Sequence, residues 1–258
     1  MDFVLLASTS LIASFLTFFS GFGLGTILLP VFAIYYPIEI AVALTAAVHL
    51  LNNIFKLGLV SKNINWKLVF TFGIPSGLAA FLGAYILKNF SGNGAIFEYV
   101  LANKVYQISS GGIIIGFLII AFSIIELIPK FSTLSFHKKY LVAGGFISGF
   151  FGGLSGHQGA IRTAFLLRLN LDKKMFIATG VMIACLVDVA RISLYSKFEN
   201  LNNGNINYAL LSTCVLSAWI GAFIGNKLFT KTSITFFKWF VGLFMMAMGI
   251  LIALGIVN

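Results

Sequence analysis

Ser148 to Arg162 reads SGFFGGLSGHQGAIR and lies inside an otherwise apolar segment. Glycine at this density weakens a helix, and polar side chains such as His157, Gln158 and Arg162 are costly among lipid chains. Backbone freed at membrane depth survives only where protein or a water-filled cavity satisfies it. A second Gly-rich stretch, SGFGLGTILLP, runs from Ser20 to Pro30. Interrupted segments at corresponding positions of two halves are the sequence mark of a transporter binding site.

The rest of the chain sets the class. Of 258 residues, 59% are hydrophobic and 9% charged, and mean hydropathy is +1.02. So little charge cannot cover a water-exposed surface, which points to an integral membrane protein in a lipid bilayer. The apolar runs exceed the ~10 residues of a membrane strand and do not alternate, so the expected fold is an all-α polytopic bundle. The formal charge of +10 is spread over short connections, which reads as topology signal and speaks against nucleic-acid binding. Cys185 and Cys214 lie in apolar spans, and no His, Cys, Asp and Glu set has metal-ligand spacing, so no metal or other cofactor is expected. The N-terminal stretch has no basic n-region and reads as a retained first helix.

Apolar segments fall at about 3–38, 40–60, 68–88, 105–128, 140–169, 175–195, 208–229 and 235–257. Most match the ~20 residues of one crossing, but the first and fifth are too long for a ~30 Å core and carry their glycines near the middle. Pro37 and Pro129 mark helix ends, whereas Pro30 and Pro75 mark a helix start or a kink. The chain reads as one transport domain over 1–258, with repeats at about 1–130 and 138–258. An offset of 135 places Ser20 on Ser155, Gly21 on Gly156, Asn53 on Asp188 and Lys56 on Arg191. Further on, Asn63 to Trp66 matches Asn205 to Tyr208 at an offset of 142, an insertion in a polar loop accounting for the change.

Charge decides between eight plain spans and six spans with two hairpins. With plain spans, Lys and Arg divide almost evenly between the two sides. With re-entrant hairpins, one side collects Lys62, Lys67, Lys130, Lys138, Lys139, Arg168, Lys173, Lys174, Lys227, Lys231 and Lys238, against Lys88, Lys104 and Lys197 on the other. The positive-inside rule favours the hairpins. Each half then has a hairpin plus three spans, the halves are inverted, and both termini lie outside the cytoplasm.

A broken hairpin aims helix N-termini, with their free N–H groups and dipole, at the membrane interior, where they suit an anion. Ser20, Gly21, Gly23 and Gly25 make one candidate cradle, and Ser155, Gly156, His157, Gln158 and Gly159 the other. Gly149, Gly152 and Gly153 read as close helix packing. Arg162 offers an oxyanion a planar fork of donors. Asn53, Lys56, Asp188 and Arg191 are candidates for coupling or gating. Lys56 and Arg191 near helix ends also suit snorkelling, and Asp188 with Arg191, three apart, suits a structural pair. His157 either couples protons to anion movement or donates a neutral hydrogen bond. His49 reads as an interhelical hydrogen bonder. No nucleophile–base set appears, so an enzyme is not expected.

The stretches GFGLGTILLP from Gly21 and GGLSGHQGAIRTAFLL from Gly152 resemble the paired motifs of the TauE/SafE sulfite exporter family. Leu24 stands where that family has a glycine, Phe165 aligns with Pro30, and His157-Gln158 replaces glycines. The resemblance spans nearly the whole chain. It implies a permease of the plasma membrane carrying sulfite, thiosulfate, sulfoacetate or another organosulfonate, with its site around Ser20 to Gly25 and Ser155 to Arg162. The function expected is a secondary transporter of a small anion, protons being the candidate coupling ion. A passive anion channel of the same architecture is the alternative. Transport direction and oligomeric state are not readable from the chain.

Overall fold

Both long apolar segments break where their glycines and polar residues fall. The structure is a computed structural model that describes residues 2–20, 23–90, 94–128, 134–196, 207–228 and 235–257, with backbone alone for residues 2, 17–20 and 235–238. Helix α1 (Asp2–Ser20) gives way to α2 (Leu24–Ala33), and α6 (Leu141–Ser155) to α7 (Gly159–Leu166). The other helices are α3 (Ile38–Val60), α4 (Trp66–Phe90), α5 (Ser110–Leu127), α8 (Lys173–Tyr195), α9 (Tyr208–Leu228) and α10 (Thr235–Ala253). Of these, α3, α4, α5, α8 and α9 are long and apolar enough to cross a bilayer. Their outward faces carry large apolar groups, including Leu78 and Phe117 at 71% and 67% exposure, which suits contact with lipid.

The helix boundaries follow local chemistry that recurs at the sequence offsets. Both breaks run from Ser to the fourth residue beyond it, Ser20 to Leu24 and Ser155 to Gly159, 135 residues apart. At the same offset, α3 and α8 begin and end in step. The Asn-Ile-Asn match explains itself as helix capping. Asn65 accepts from the Leu68 N–H at 3.2 Å and Asn207 from the Leu210 N–H at 3.0 Å, each satisfying a donor that a helix start leaves over. Pro37 is the N-cap of α3. A wide π turn over Val69–Gly73 precedes Pro75, while Pro30 falls in the interior of α2 rather than at its start.

One expectation fails. Residues 105–109, read as the beginning of a membrane helix, form a strand. β1 (Ala95–Leu101) pairs antiparallel with β2 (Lys104–Ser109) through a turn at Ala102 and Asn103, both with positive φ. Alternation of Val105, Tyr106, Gln107 and Ile108 opposite Val100, Tyr99, Glu98 and Phe97 favours cross-strand pairing, and Ser109 then caps α5.

Packing exchanges partners between the halves. Helix α1 lies on α9 and α6 on α4; α3 lies on α9 and α8 on α4; α3 meets α8, and α5 meets α10. Swapping the first half for the second leaves that set of pairs unchanged. The close approaches use glycine: a Cβ on Gly149 or Gly153 would fall 1.9 or 2.0 Å from the Ser76 or Ala80 carbonyl, and one on Gly221 2.1 Å from that of Leu11.

Contacts also order the two ends of the bundle. At one end, Tyr99 of the hairpin donates to the Leu254 carbonyl at 2.8 Å, and a cleft of about 610 Å³ is lined by Pro37, Glu39, Gln107 and Gly255 among others. At the other, the Asn65 N–H bonds Thr179 and the Phe136 N–H bonds the Ala164 carbonyl. Helix α3 starts at the first end and α8 at the second. Lys62, Lys67, Lys138, Lys139, Arg168, Lys173 and Lys174 gather at the second, with Lys88 and Lys104 at the first.

Candidate anion site

At the second break α6 stops because Gly156 turns left-handed, at φ +83°, a conformation that a Cβ disfavours. The Arg191 guanidinium fills the space on that side: a Cβ on Gly156 would meet its Nη1 at 2.5 Å. The chain then folds back along α6. Ser148 Oγ donates to the Gln158 carbonyl at 3.0 Å, the Phe165 ring lies where a Gly144 side chain would go, and the Phe136–Ala164 bond ties the start of α6 to the end of α7. Segment 140–169 is therefore a hairpin returning to the end where it began. At the first break Gly23, at φ +135°, precedes α2, and its carbonyl accepts from Thr26 Oγ1 at 2.9 Å. The two breaks meet: the Gly156 carbonyl lies 3.9 Å from where a Cβ on Gly25 would stand.

Around this junction the core is charged. Lys56, Arg162, Asp188 and Arg191 are 2%, 7%, 0% and 0% exposed. The snorkelling reading of Lys56 and Arg191 is therefore overturned, because both are buried and each is held by a neighbour on its own helix, Asn52 and Asp188. With the Asn52 amide oriented to satisfy its neighbours, its oxygen accepts from Lys56 Nζ at 3.2 Å and its nitrogen donates to the Ala218 carbonyl at 3.2 Å. Asp188 and Arg191 do pair, Oδ1 receiving Nε at 3.0 Å and facing Nη2 at 2.8 Å. The Arg162 guanidinium repels the Lys56 ammonium and is drawn toward Asp188. It lies against α8 where Gly180 has no side chain, 3.4 Å from the position of a Cβ there. Three buried cations face one buried carboxylate among the described residues. A low-dielectric interior makes an excess of this sign favour an anion.

The polar side chains at the break point the same way. Both polar atoms of the Gln158 amide, and His157 Nε2, are buried with no hydrogen-bond partner among the described residues. Buried polar atoms left in that state cost ~1–3 kcal/mol each and are uncommon without a ligand or a role. His157 Nδ1 lies 2.9 Å from Ser155 Oγ, and the ring stacks on Phe122 with centroids 5.3 Å apart. The described residues hold no cluster of three or more His, Cys, Asp and Glu able to take a metal ion.

Of the residues read from sequence, Ser155, Gly156, His157, Gln158, Gly159, Arg162, Asn53, Lys56, Asp188 and Arg191 all lie buried around the second break. Gly23 and Gly25 belong to the first, Ser20 is described only as the last residue of α1, and Gly21 lies outside the described residues. His49, read as an interhelical hydrogen bonder, is one, its Nδ1 lying 2.7 Å from Asp188 Oδ2, while Gly180 and Phe122 were missed. For His49 a signal existed: His49, Asn53 and Lys56 are spaced four and three apart, which puts them on one helix face.

The family model described as Sulfite exporter TauE/SafE matches residues 6–252 of the chain. No curated protein and no solved structure matches it.

Proposed function

The chain belongs to the TauE/SafE sulfite exporter family, a multi-pass membrane transporter of the sulfite or anion type rather than an enzyme, and from that premise we propose a secondary transporter of a small sulfur oxyanion or organosulfonate. Its site is the second break. One observation carries this reading: Arg162, Arg191 and Lys56 are buried beside the break, where Asp188 is the one carboxylate buried with them among the described residues. An anion bound there lowers the energy of charges that the fold already holds out of water. The Arg162 fork and the amide of Gln158 give it directional donors.

The halves are inverted repeats in this reading. Matching helices α3 and α8 start at opposite ends, and the partner exchange between halves supplies two equivalent arrangements to rock between. The basic second end is cytoplasmic by the positive-inside rule, both termini are outside, and the membrane is the plasma membrane.

The test is uptake of labelled sulfite, thiosulfate and sulfoacetate by proteoliposomes. Saturable uptake of at least one, accelerated by the same anion preloaded inside, supports a carrier. Unsaturated flux with no effect of preloading indicates a channel, and no flux of any of the three overturns the substrate class.

A further inference from the structure

Asp188 has two oxygens and divides them between two basic partners. Oδ1 takes Arg191, as described above, while Oδ2 lies 2.7 Å from His49 Nδ1 and 3.2 Å from Asn53 Nδ2. The Asp188 and Arg191 side chains are wholly buried, whereas that of His49 is 12% exposed. His49 is thus the member of this chain of contacts that is not wholly enclosed. At its far end Arg191 stands against Gly156, at the centre of the anion site. We propose that His49 is the proton-binding site of the transporter, and that its protonation draws the Asp188 carboxylate away from Arg191 and releases that guanidinium to the anion. The inference rests on the anion-site reading above.

Histidine is the side chain whose ordinary titration spans physiological pH. With neutral His49 the buried cluster holds two more positive charges than negative; a proton there adds a third, in an interior where salt screens little. Coupling between two binding events is reciprocal, so proton and anion hold each other in place and cross together. His157 is less suited to this, because it is buried and its contacts with Ser155 and Phe122 bring it no carboxylate.

The surroundings of His49 leave Asp188 as its electrostatic partner. Helix α8 carries Cys185, Asp188 and Arg191 in its inner part and Lys173, Lys174 and Tyr195 toward its ends. Helix α9 brings Tyr208, Cys214 and Lys227, α5 brings Glu126, α2 brings no titratable group, and α3 itself adds Glu39 and Lys56. From α7, Arg162 reaches the cluster. The ring's hydrogen-bond partners among the described residues are Asp188 and Asn53.

The experiment compares wild type, His49→Gln and His157→Gln in proteoliposomes. Thiosulfate is the probe because it stays doubly charged from pH 6 to 8. Each protein's anion exchange at equal pH is the reference for its own uptake under an inward proton gradient. Wild type and His157→Gln are expected to accumulate thiosulfate about tenfold above that reference, a coupling of ordinary size, and His49→Gln to lose the excess. A parallel measurement needs folding but not turnover: thiosulfate affinity, read from thermal stabilisation in detergent, tightens about tenfold from pH 8 to pH 6 in wild type and less than twofold in His49→Gln. A gradient response or a pH-dependent affinity preserved in His49→Gln overturns the proposal, as does wild type indifferent to pH. Absence of any thiosulfate exchange or stabilisation in wild type at either pH contradicts the anion-site reading and removes this inference with it.

Discussion

At the first break the chain restarts as a helix with Leu24, Gly25 and Thr26; at the second, 135 residues on, it restarts with Gly159, Ala160 and Ile161. Where the second half has His157, Gln158 and Arg162, the first has Phe22, Gly23 and Ile27. The breaks fall at matching residues, yet His, Gln and Arg are confined to the second of them. Deeper in the helices the halves agree again, since Lys56 stands opposite Arg191 and Asn53 opposite Asp188, and those last two are hydrogen-bonded to each other. Repeat mates in direct contact lie where a two-fold axis between the halves would pass. Symmetry thus belongs to the helix framework, and asymmetry to the polar side chains at the breaks.

The comparison breaks most readily at the charged pair. Arg191→Leu leaves Asp188 buried without its guanidinium, a loss of about 3–5 kcal/mol, and the protein is expected not to survive purification as a monodisperse peak. Lys56→Met, its mate in the first half, removes a buried charge held by an amide rather than by a carboxylate. It is expected to fold and to bind anion more weakly. If size-exclusion profiles of the two variants are alike, the halves do not divide the work as described.

Next in size is the glycine comparison. Gly156→Ala forces a side chain into a left-handed residue, at about 1–2 kcal/mol, and pushes on Arg191. Transport should fall at least about tenfold, by the sensitivity of a site to small misplacement. Gly25→Ala has only contacts at 3.9 Å to meet and should stay near wild type. Uptake rates of the pair decide this.

Gln158→Leu separates site from scaffold. The wild-type amide has no partner to lose among the described residues, so the melting temperature should hold or rise. The KM for anion should rise about tenfold, the ~1.4 kcal/mol of one directed hydrogen bond. A fall in melting temperature with KM unchanged would make Gln158 structural. Smallest and most even are the caps: Asn65→Ala and Asn207→Ala should each cost about 1 kcal/mol, measured as matched shifts in thermal unfolding. Unequal shifts would show that the shared Asn-Ile-Asn does different jobs in the two halves.

Much of this was legible in the sequence. Glycine and polar residues weaken a lipid-facing helix, so SGFFGGLSGHQGAIR announced its own break, and a repeated Asn-Ile-Asn announced the repeat, though its capping role came from the structure. The β-hairpin was hidden because Val105 to Ile108 is apolar enough to extend a membrane helix in a hydropathy reading, and pairing with Phe97 to Val100 is a non-local fact. The role of His49 was hidden for a similar reason. Its partner Asp188 lies 139 residues away, and the polar face that His49 shares with Asn53 and Lys56 does not say which residue faces it. Gly180 was invisible because its contribution is room for the Arg162 side chain.

The most direct test of the central claim is sulfite and thiosulfate uptake by Arg162→Gln reconstituted beside wild type, with both proteins checked for equal thermal stability. A charged donor to an anion is worth about 1.5–3 kcal/mol, so the variant should lose about tenfold to a hundredfold in uptake at low anion concentration while remaining folded. A folded Arg162→Gln that takes up both anions at the wild-type rate would place the site elsewhere in the molecule.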